Sequence, residues 1–326
     1  LEATAGAQLR GIDVVLSKMH TVHVKGHVTF SLGGRQNAVI LLSPRHVAGF
    51  GGMVRNHRVD AAGNFDIRGV PPGAYTLNAM VNEEGARRQA RISVEVGTTN
   101  LEGLNVTVGP GASLKGRVRV DADGQPADLS NLRILLQPRD PGVNFGGIGP
   151  GKPNAEGTFE LLDVFPDHYT VVLVGLPAGS YVKSIRSEPA DVLAAGLDVS
   201  SGVAAPLEIV ISPKAATVSG VVQNAETGSP APGAMVVLVP QEKERREQQS
   251  EYRQVFSDQS GAYSLTGVPP GEYRAYAWAD LEYGAYMDPD VMKPVESKGE
   301  AVTLKESDHK TVPLKLIQAE APPAAK

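Results

Sequence analysis

Along most of the chain apolar residues alternate with polar ones in short runs, and the runs stop at glycine, proline, aspartate or asparagine. A period of two is that of a strand with one buried face, so runs of this length between turn residues predict strands, not helices. One such phrase occurs three times. Gly63-Asn64-Phe65-Asp66-Ile67-Arg68-Gly69-Val70-Pro71-Pro72-Gly73-Ala74-Tyr75 returns from Gly157 to Tyr169 and again from Gly261 to Tyr273, in steps of 94 and 104 residues. A period of that size is one small domain.

Each copy carries the same local instructions. Asp60, Asn154 and Asp258 stand three residues before the glycine, where an Asx side chain bonds back onto a turn and the glycine takes positive φ. Phe65 and Ile67, Phe159 and Leu161, Tyr263 and Leu265 then alternate with more polar residues, which predicts a half-buried strand. Pro72-Gly73 and Pro270-Gly271 predict type II turns, from which a second strand returns at Tyr75 and Tyr273. The second copy has Phe165-Pro166-Asp167-His168 instead; aspartate can occupy the left-handed region only at some cost, so a turn different from the other two is open here.

The rest of each repeat fits around this phrase. An opening strand precedes it at Val24–Val28, Leu114–Val118 and Val218–Val222, and an apolar strand ending in Pro44, Pro138 or Pro240 lies between. Closing strands follow at Leu104–Val108, Leu207–Ile211 and Val312–Leu316, and Gly11-Ile12-Asp13-Val14-Val15-Leu16 matches them without a preceding unit. The pattern predicts an all-β chain of three tandem seven-strand β-sandwiches in an elongated array. Residues 1–18 are the orphan strand and linker, 19–110, 111–213 and 214–318 the sandwiches, and 319–326 a disordered tail. The linkers, at Gly109-Pro110-Gly111 and Ser212-Pro213, are short enough to limit rotation.

Gly-x-Val in the opening strand, the apolar strand, Asp-x-x-Gly-x-aromatic and Val-Pro-Pro-Gly-x-Tyr together resemble the carboxypeptidase regulatory-like domain, three times over between residues 20 and 318. That resemblance implies a prealbumin-like or Ig-like sandwich, often strung in tandem on bacterial secreted and surface proteins. The stretches Tyr283–Pro289 and Lys310–Leu316 look like the end of large multi-repeat proteins of Acidobacteria-type soil bacteria. In the family's namesake the module accompanies a zinc peptidase and is not itself catalytic.

Composition narrows the function. A net charge of −5 over 326 residues offers no basic field for nucleic acid, no segment is apolar for long enough to span a bilayer, and the absence of cysteine removes disulfides and thiolate chemistry. The chain begins at Leu1, which suggests a processed or partial polypeptide. None of the seven histidines is followed by Glu three residues on, and no nucleophile elbow, phosphate loop or dinucleotide fingerprint occurs, so neither catalysis nor a cofactor is expected. His20, His23, His27, His46 and His57 crowd the first unit, but His23 and His27 on one strand stand about 13 Å apart, too far to share an ion. Asp121-Ala122-Asp123-Gly124 reads as a hairpin turn in preference to a calcium loop, and Lys25 with Asn105 is a candidate intramolecular isopeptide pair.

The chemistry left is that of contact. Tyr276 and Trp278 alternate onto one face of a strand, with Tyr283 and Tyr286 in the loop beyond. They either form a platform for a sugar or protein partner or cover the sandwich edge. Phe50 and Phe145 tip two glycine-rich loops, while the third unit has the charged run Glu242–Glu251 there. The expectation is a secreted or cell-surface structural protein, a semi-rigid rod for spacing, adhesion or filament assembly, whose partners are other protein chains. Residues 11–16 could add as a strand to a neighbouring chain's incomplete sheet. A glycan-binding series using the aromatics, or an accessory subunit of a surface complex, are the alternatives.

Overall fold

The turn that starts each phrase is the same in all three copies. Asp60, Asn154 and Asp258 accept, through Oδ1, from the backbone N–H four residues on at 2.8–2.9 Å. Their carbonyls accept from Gly63, Gly157 and Gly261 at 2.9–3.0 Å. Those glycines have φ of 75–86°, a conformation that a Cβ disfavours. Their own carbonyls accept from Val28, Val118 and Val222, tying each turn to its opening strand.

A computed structural model of the chain describes residues 19–31, 38–45, 54–83, 86–121, 128–139, 149–202 and 205–318. They fold into all-β sandwiches with only short helical turns. The first comprises Val22–Phe30 (β1), Val39–Pro44 (β2), Arg55–Arg58 (β3), Asn64–Val70 (β4), Gly73–Glu83 (β5), Ala86–Val96 (β6) and Leu101–Pro110 (β7). The strand order is β3-β2-β5-β6-β7-β1-β4. β6 and β7 meet only at Arg88–Pro110 and Gln89–Gly109, so the layers β4-β1-β7 and β3-β2-β5-β6 face each other. Between them lies one core that includes Val24, Val28, Phe65, Ile40, Leu42 and Leu77.

The second sandwich runs through Ala112–Val120 (β8), Arg133–Pro138 (β9), Thr158–Val164 (β10), His168–Val174 (β11), Tyr181–Ser187 (β12), Ala190–Asp191 (β13), the short helix Val192–Ala195 (α1), Leu197–Asp198 (β14) and Leu207–Ser212 (β15). Its layers are β10-β8-β15-β12-β13 and β14-β11-β9. The third contains Ala216–Asn224 (β16), Met235–Pro240 (β17), Lys243–Arg246 (α2), Arg253–Phe256 (β18), Ala262–Val268 (β19), Gly271–Trp278 (β20), Pro289–Met292 (α3), Glu300–Leu304 (β21), His309–Thr311 (β22) and Leu314–Ile317 (β23). Each has its own core. By their contacts the described residues form two compact units, one ending at Pro110 and one from Gly111 that holds both later sandwiches.

In every sandwich the closing strand pairs parallel to the opening one: β7 on β1, β15 on β8, and β22 and β23 on β16. On its other side the opening strand pairs antiparallel with the strand of the repeated phrase, and there glycine stands opposite an aromatic: Gly26 and Phe65, Gly116 and Phe159, Gly220 and Tyr263. A Cβ on Gly26 or Gly116 would land on the ring and on the carbonyl of Leu104 or Leu207; on Gly220 it would meet the Val312 carbonyl and the Tyr263 ring. The missing side chain is the space that the ring fills, and the six aromatic and aliphatic residues Phe65, Ile67, Phe159, Leu161, Tyr263 and Leu265 are buried, as their alternation predicts.

The return of the chain differs from the predicted type II turn. Gly73 and Gly271 have φ of 157° and 149°, nearer extended backbone than the roughly 80° of that turn. Asp167, at the equivalent position, has a negative φ, since the described non-glycine residues with positive φ are Asp163 and Ser307. Its side chain accepts from the N–H of His168 at 2.8 Å. The left-handed residue sits earlier, at Gly69, Asp163 and Gly267 (φ 69°, 56° and 69°), in a bulge where the register shifts in all three pairs. The corner is then fixed by a tyrosine: Tyr75, Tyr169 and Tyr273 donate to the carbonyls of Pro71, Phe165 and Pro269 at 2.8–2.9 Å. This is the hydroxyl-to-upstream-backbone contact of sandwich corners.

Two substitutions test this account in opposite directions. Gly116→Ala is expected to lower unfolding free energy by about 1–3 kcal/mol, the usual cost of overpacking. Asp163→Gly is expected to raise it by up to about 1 kcal/mol by removing a Cβ from a left-handed site. Urea denaturation of the full chain reads both.

Candidate functional site

The arrangement with most bearing on function is the joint between the second and third sandwiches. β15 ends at Ser212 and β16 begins at Ala216, so only Pro213, Lys214 and Ala215 connect them. Backbone bonds tie the link to both neighbours: the N–H of Ala215 donates to the carbonyl of Gly179 at 2.9 Å, and the N–H of Ser307 donates to the carbonyl of Lys214 at 2.9 Å. The first bond holds the link to the second sandwich and the second holds it to the third.

Glu306, in the turn after β21 of the third sandwich, reaches side chains of the second. Its Oε1 accepts from the buried hydroxyl of Tyr181 at 2.8 Å and from Ser212 Oγ at 3.4 Å. Lys183 Nζ lies 3.7 Å from the same oxygen and 2.5 Å from Asp121 Oδ2. The Tyr181 hydrogen bond holds the Glu306 carboxyl below the ordinary 4.5, and the Lys183 ammonium holds Asp121 below 3.8. On another side of the joint the carbonyl of Ala194, at the end of α1, accepts from Arg139 of its own sandwich and from Gln248 of the third, each at 3.3 Å. Neither Tyr181 nor Glu306 belongs to a repeated phrase, which is why the repeat pattern did not single them out.

Of the two readings of the third-sandwich aromatics, platform or edge cover, the burial of three of the four corresponds to cover. Tyr276, Trp278 and Tyr286 are 2–3% exposed. They form a second, outer core with Met235, Val237, Val239, Tyr252 and Ile317. Tyr276 stacks on Trp278 at 5.2 Å, and Tyr286 packs on Tyr252 at 5.5 Å. The cover is made by α2, α3 and the 3-10 segments Gln249–Glu251, Ala285–Met287 and Lys293–Lys298. Tyr283 alone of the four is exposed, at 63%, its hydroxyl accepting from Gln249 Nε2 at 3.3 Å. It borders a cleft of about 700 Å³ with Gln137 and Arg139 of the second sandwich. Phe50, Phe145 and the segment Gly11 to Leu16 lie outside the described residues.

The remaining candidates are placed as follows. His23 Nδ1 is 2.9 Å from Asp66 Oδ1, and His27 Nε2 is 2.9 Å from the carbonyl of Ala62; His46 lies outside the described residues. Among the described residues no three acidic or histidine side chains are grouped to hold a metal. Lys25 donates to Glu102 at 3.0 Å, whereas Asn105 stands opposite His27. Among the described residues no helix is long and apolar enough to cross a membrane.

Parallel closing strands, a bulged phrase and a tyrosine-fixed corner define a prealbumin-like or Ig-like sandwich. Residues 217–306 match the model of the carboxypeptidase regulatory-like domain, so the third sandwich is of that kind. The search of curated proteins found no match. Among solved structures the chain is similar to the TIE protein of Bacillus anthracis, at 14% identity over 92% of this chain and 50% of that one, with a TM-score of 0.22. It is also similar to a streptococcal ancillary pilin (11% identity, 90% and 98% covered, TM-score 0.27). BcpA, the major pilin subunit of Bacillus cereus, is a third (13%, 91% and 99%, 0.26). The chain spans half the length of the first of these.

Two outcomes are expected. Trp278, the one tryptophan of the chain, is expected to emit as a buried indole and to resist acrylamide quenching, where a surface platform would be quenched readily. The joint is expected to be pH-sensitive. Folding depresses both carboxyls, so their contribution is present above the unfolded values, 4.5 for Glu306 and 3.8 for Asp121, and is lost as the pH falls through the lower folded ones. Hydrogen exchange at Ala215 and Ser307, corrected for intrinsic rate, should accelerate over that acid range in the native chain and respond less in Glu306→Gln.

Proposed function

We propose that this protein is a non-enzymatic structural protein of the cell surface or the secreted fraction, a semi-rigid spacer that serves adhesion or filament assembly. The observation that carries the reading is the joint at Pro213 to Ala215. A three-residue link whose flanking amides are bonded to both sandwiches, with Glu306 bridging Tyr181, Ser212 and Lys183, restrains the hinge that a tandem array would otherwise have. Most of the conspicuous aromatic surface is spent on internal packing, which favours a structural role over a glycan platform on β20.

The parallel pairing of closing on opening strands supports a route to assembly. Each described sandwich fills the slot beside its opening strand with its own closing strand. Residues 11–16 match the closing strands in sequence. On this reading they occupy the equivalent slot of a preceding unit, in the same polypeptide or in a neighbouring chain, and the partners are other protein chains. Tyr283 is available to such a partner at the joint cleft.

The absence of cysteine makes the rigidity directly measurable. Arg117→Cys together with Glu226→Cys, both at exposed positions of the second and third sandwiches, gives a unique spin-label pair in the full chain. Pulsed dipolar spectroscopy is expected to return one narrow distance distribution that broadens on adding Glu306→Ala and Gln248→Ala. A broad distribution in the parent pair would overturn the spacer reading.

A further inference from the structure

The cover over the outer core of the third sandwich is incomplete, and it leaves a pocket of about 630 Å³ between α2 and the segment from Ala285 to Lys298. That volume is in the range of small-molecule sites. Its floor is made of the rings of Tyr252, Tyr276 and Tyr286 and the half-buried thioethers of Met287 and Met292.

The tyrosines turn their polar ends away from a ligand. The Tyr252 hydroxyl donates to the carbonyl of Arg246 at 2.9 Å, and that of Tyr276 to the carbonyl of Glu296 at 3.5 Å. The Tyr286 hydroxyl is engaged with Tyr283. Burial raises the pKa of all three, so the rings are neutral at physiological pH. The floor therefore offers ring faces and methionine, which adapt to a hydrocarbon body and do not replace the hydrogen bonds of a polar one.

The rim is different. Lys243, Arg246 and Lys293 stand exposed around the opening. Among the described residues none of the three has a carboxylate within ion-pair distance, although Glu247 and Glu296 share the rim, so cations outnumber anions there by three to two. An apolar floor under an excess of unpaired cations is complementary to one kind of molecule, with a hydrocarbon or aromatic body and a single anionic head.

We propose that this pocket is a binding site for a soluble amphipathic monoanion, of the class of medium-chain carboxylates, with the chain on the tyrosine and methionine floor and the carboxylate at Lys243 and Lys293. The two segments that build it, 242–251 and 279–298, lie outside the repeated phrases. It is independent of the spacer reading, because none of the joint residues Tyr181, Glu306 or Ala215 lines it.

The test uses the native reporter. Trp278 stacks on the pocket-lining Tyr276, so titration of the full chain with decanoate is followed through tryptophan emission, with displacement of 1-anilinonaphthalene-8-sulfonate as a second readout. The expected result is saturable binding, about tenfold weaker in Lys243→Glu with Lys293→Glu and weaker again when Met287→Gln is added, while the thermal transition of each variant stays near that of the native chain. Decanol should bind more weakly than decanoate. Absence of saturable binding, equal affinity of decanoate for native and doubly reversed proteins, or decanol binding as well as decanoate would each overturn the proposal. So would co-sedimentation with phosphatidylglycerol vesicles without any response to free decanoate, since that would assign the face to a membrane.

Discussion

The interlock of a glycine with an aromatic ring across two antiparallel strands is the constraint on which each sandwich depends. Gly26, Gly116 and Gly220 leave a slot in the opening strand, and Phe65, Phe159 and Tyr263 fill it from the strand of the repeated phrase. The slot is closed from the other side by a carbonyl of the parallel closing strand at Leu104 or Leu207, and by that of Val312, between β22 and β23, in the third sandwich. Three strands distant in sequence are thereby fixed in register by a single side chain, and a slip of one residue would place that ring in solvent. In the third sandwich Tyr263 adds a hydrogen bond to the Val312 carbonyl at 2.6 Å, so the same position is held by both packing and polarity.

Around this interlock the phrase supplies its own punctuation. The Asx residue and glycine set the approach, the left-handed residue at Gly69, Asp163 or Gly267 introduces the bulge, and the tyrosine hydroxyl closes the corner four residues beyond the carbonyl it contacts. That the second copy tolerates aspartate at position 163 and lacks the Pro-Pro-Gly sequence shows which features are required. The register shift and the tyrosine contact persist, while the composition of the turn between them varies.

The strand pattern was legible because it depends on neighbours within a few residues: Asp60 with Gly63 and Asn64, or Phe65 with Ile67. The turn type was not, because φ at Gly73 and Gly271 follows from β5 and β20 beginning at that glycine to pair with β6 and β21. The fate of Tyr276 and Trp278 was also hidden. Alternation places both on the face away from the main core, as the structure confirms, but whether that face meets water depends on α2 and the 285–298 turns, which have no repeat counterpart and no strong period of their own. The joint was illegible for a similar reason. Tyr181 and Glu306 are separated by 125 positions, and no local pattern connects them.

Parallel pairing of the first and last strands has a mechanical consequence. In each sandwich the chain comes in at one end of the opening strand and goes out at the opposite end of the closing strand beside it, with ladders such as Gly26–Leu104 through Phe30–Val108 between. Tension applied through the two termini pulls these strands lengthwise past each other, so the ladder bonds are loaded together in shear instead of being peeled one at a time. A sandwich wired this way resists stretching along its own axis far better than one whose terminal strands form an antiparallel hairpin.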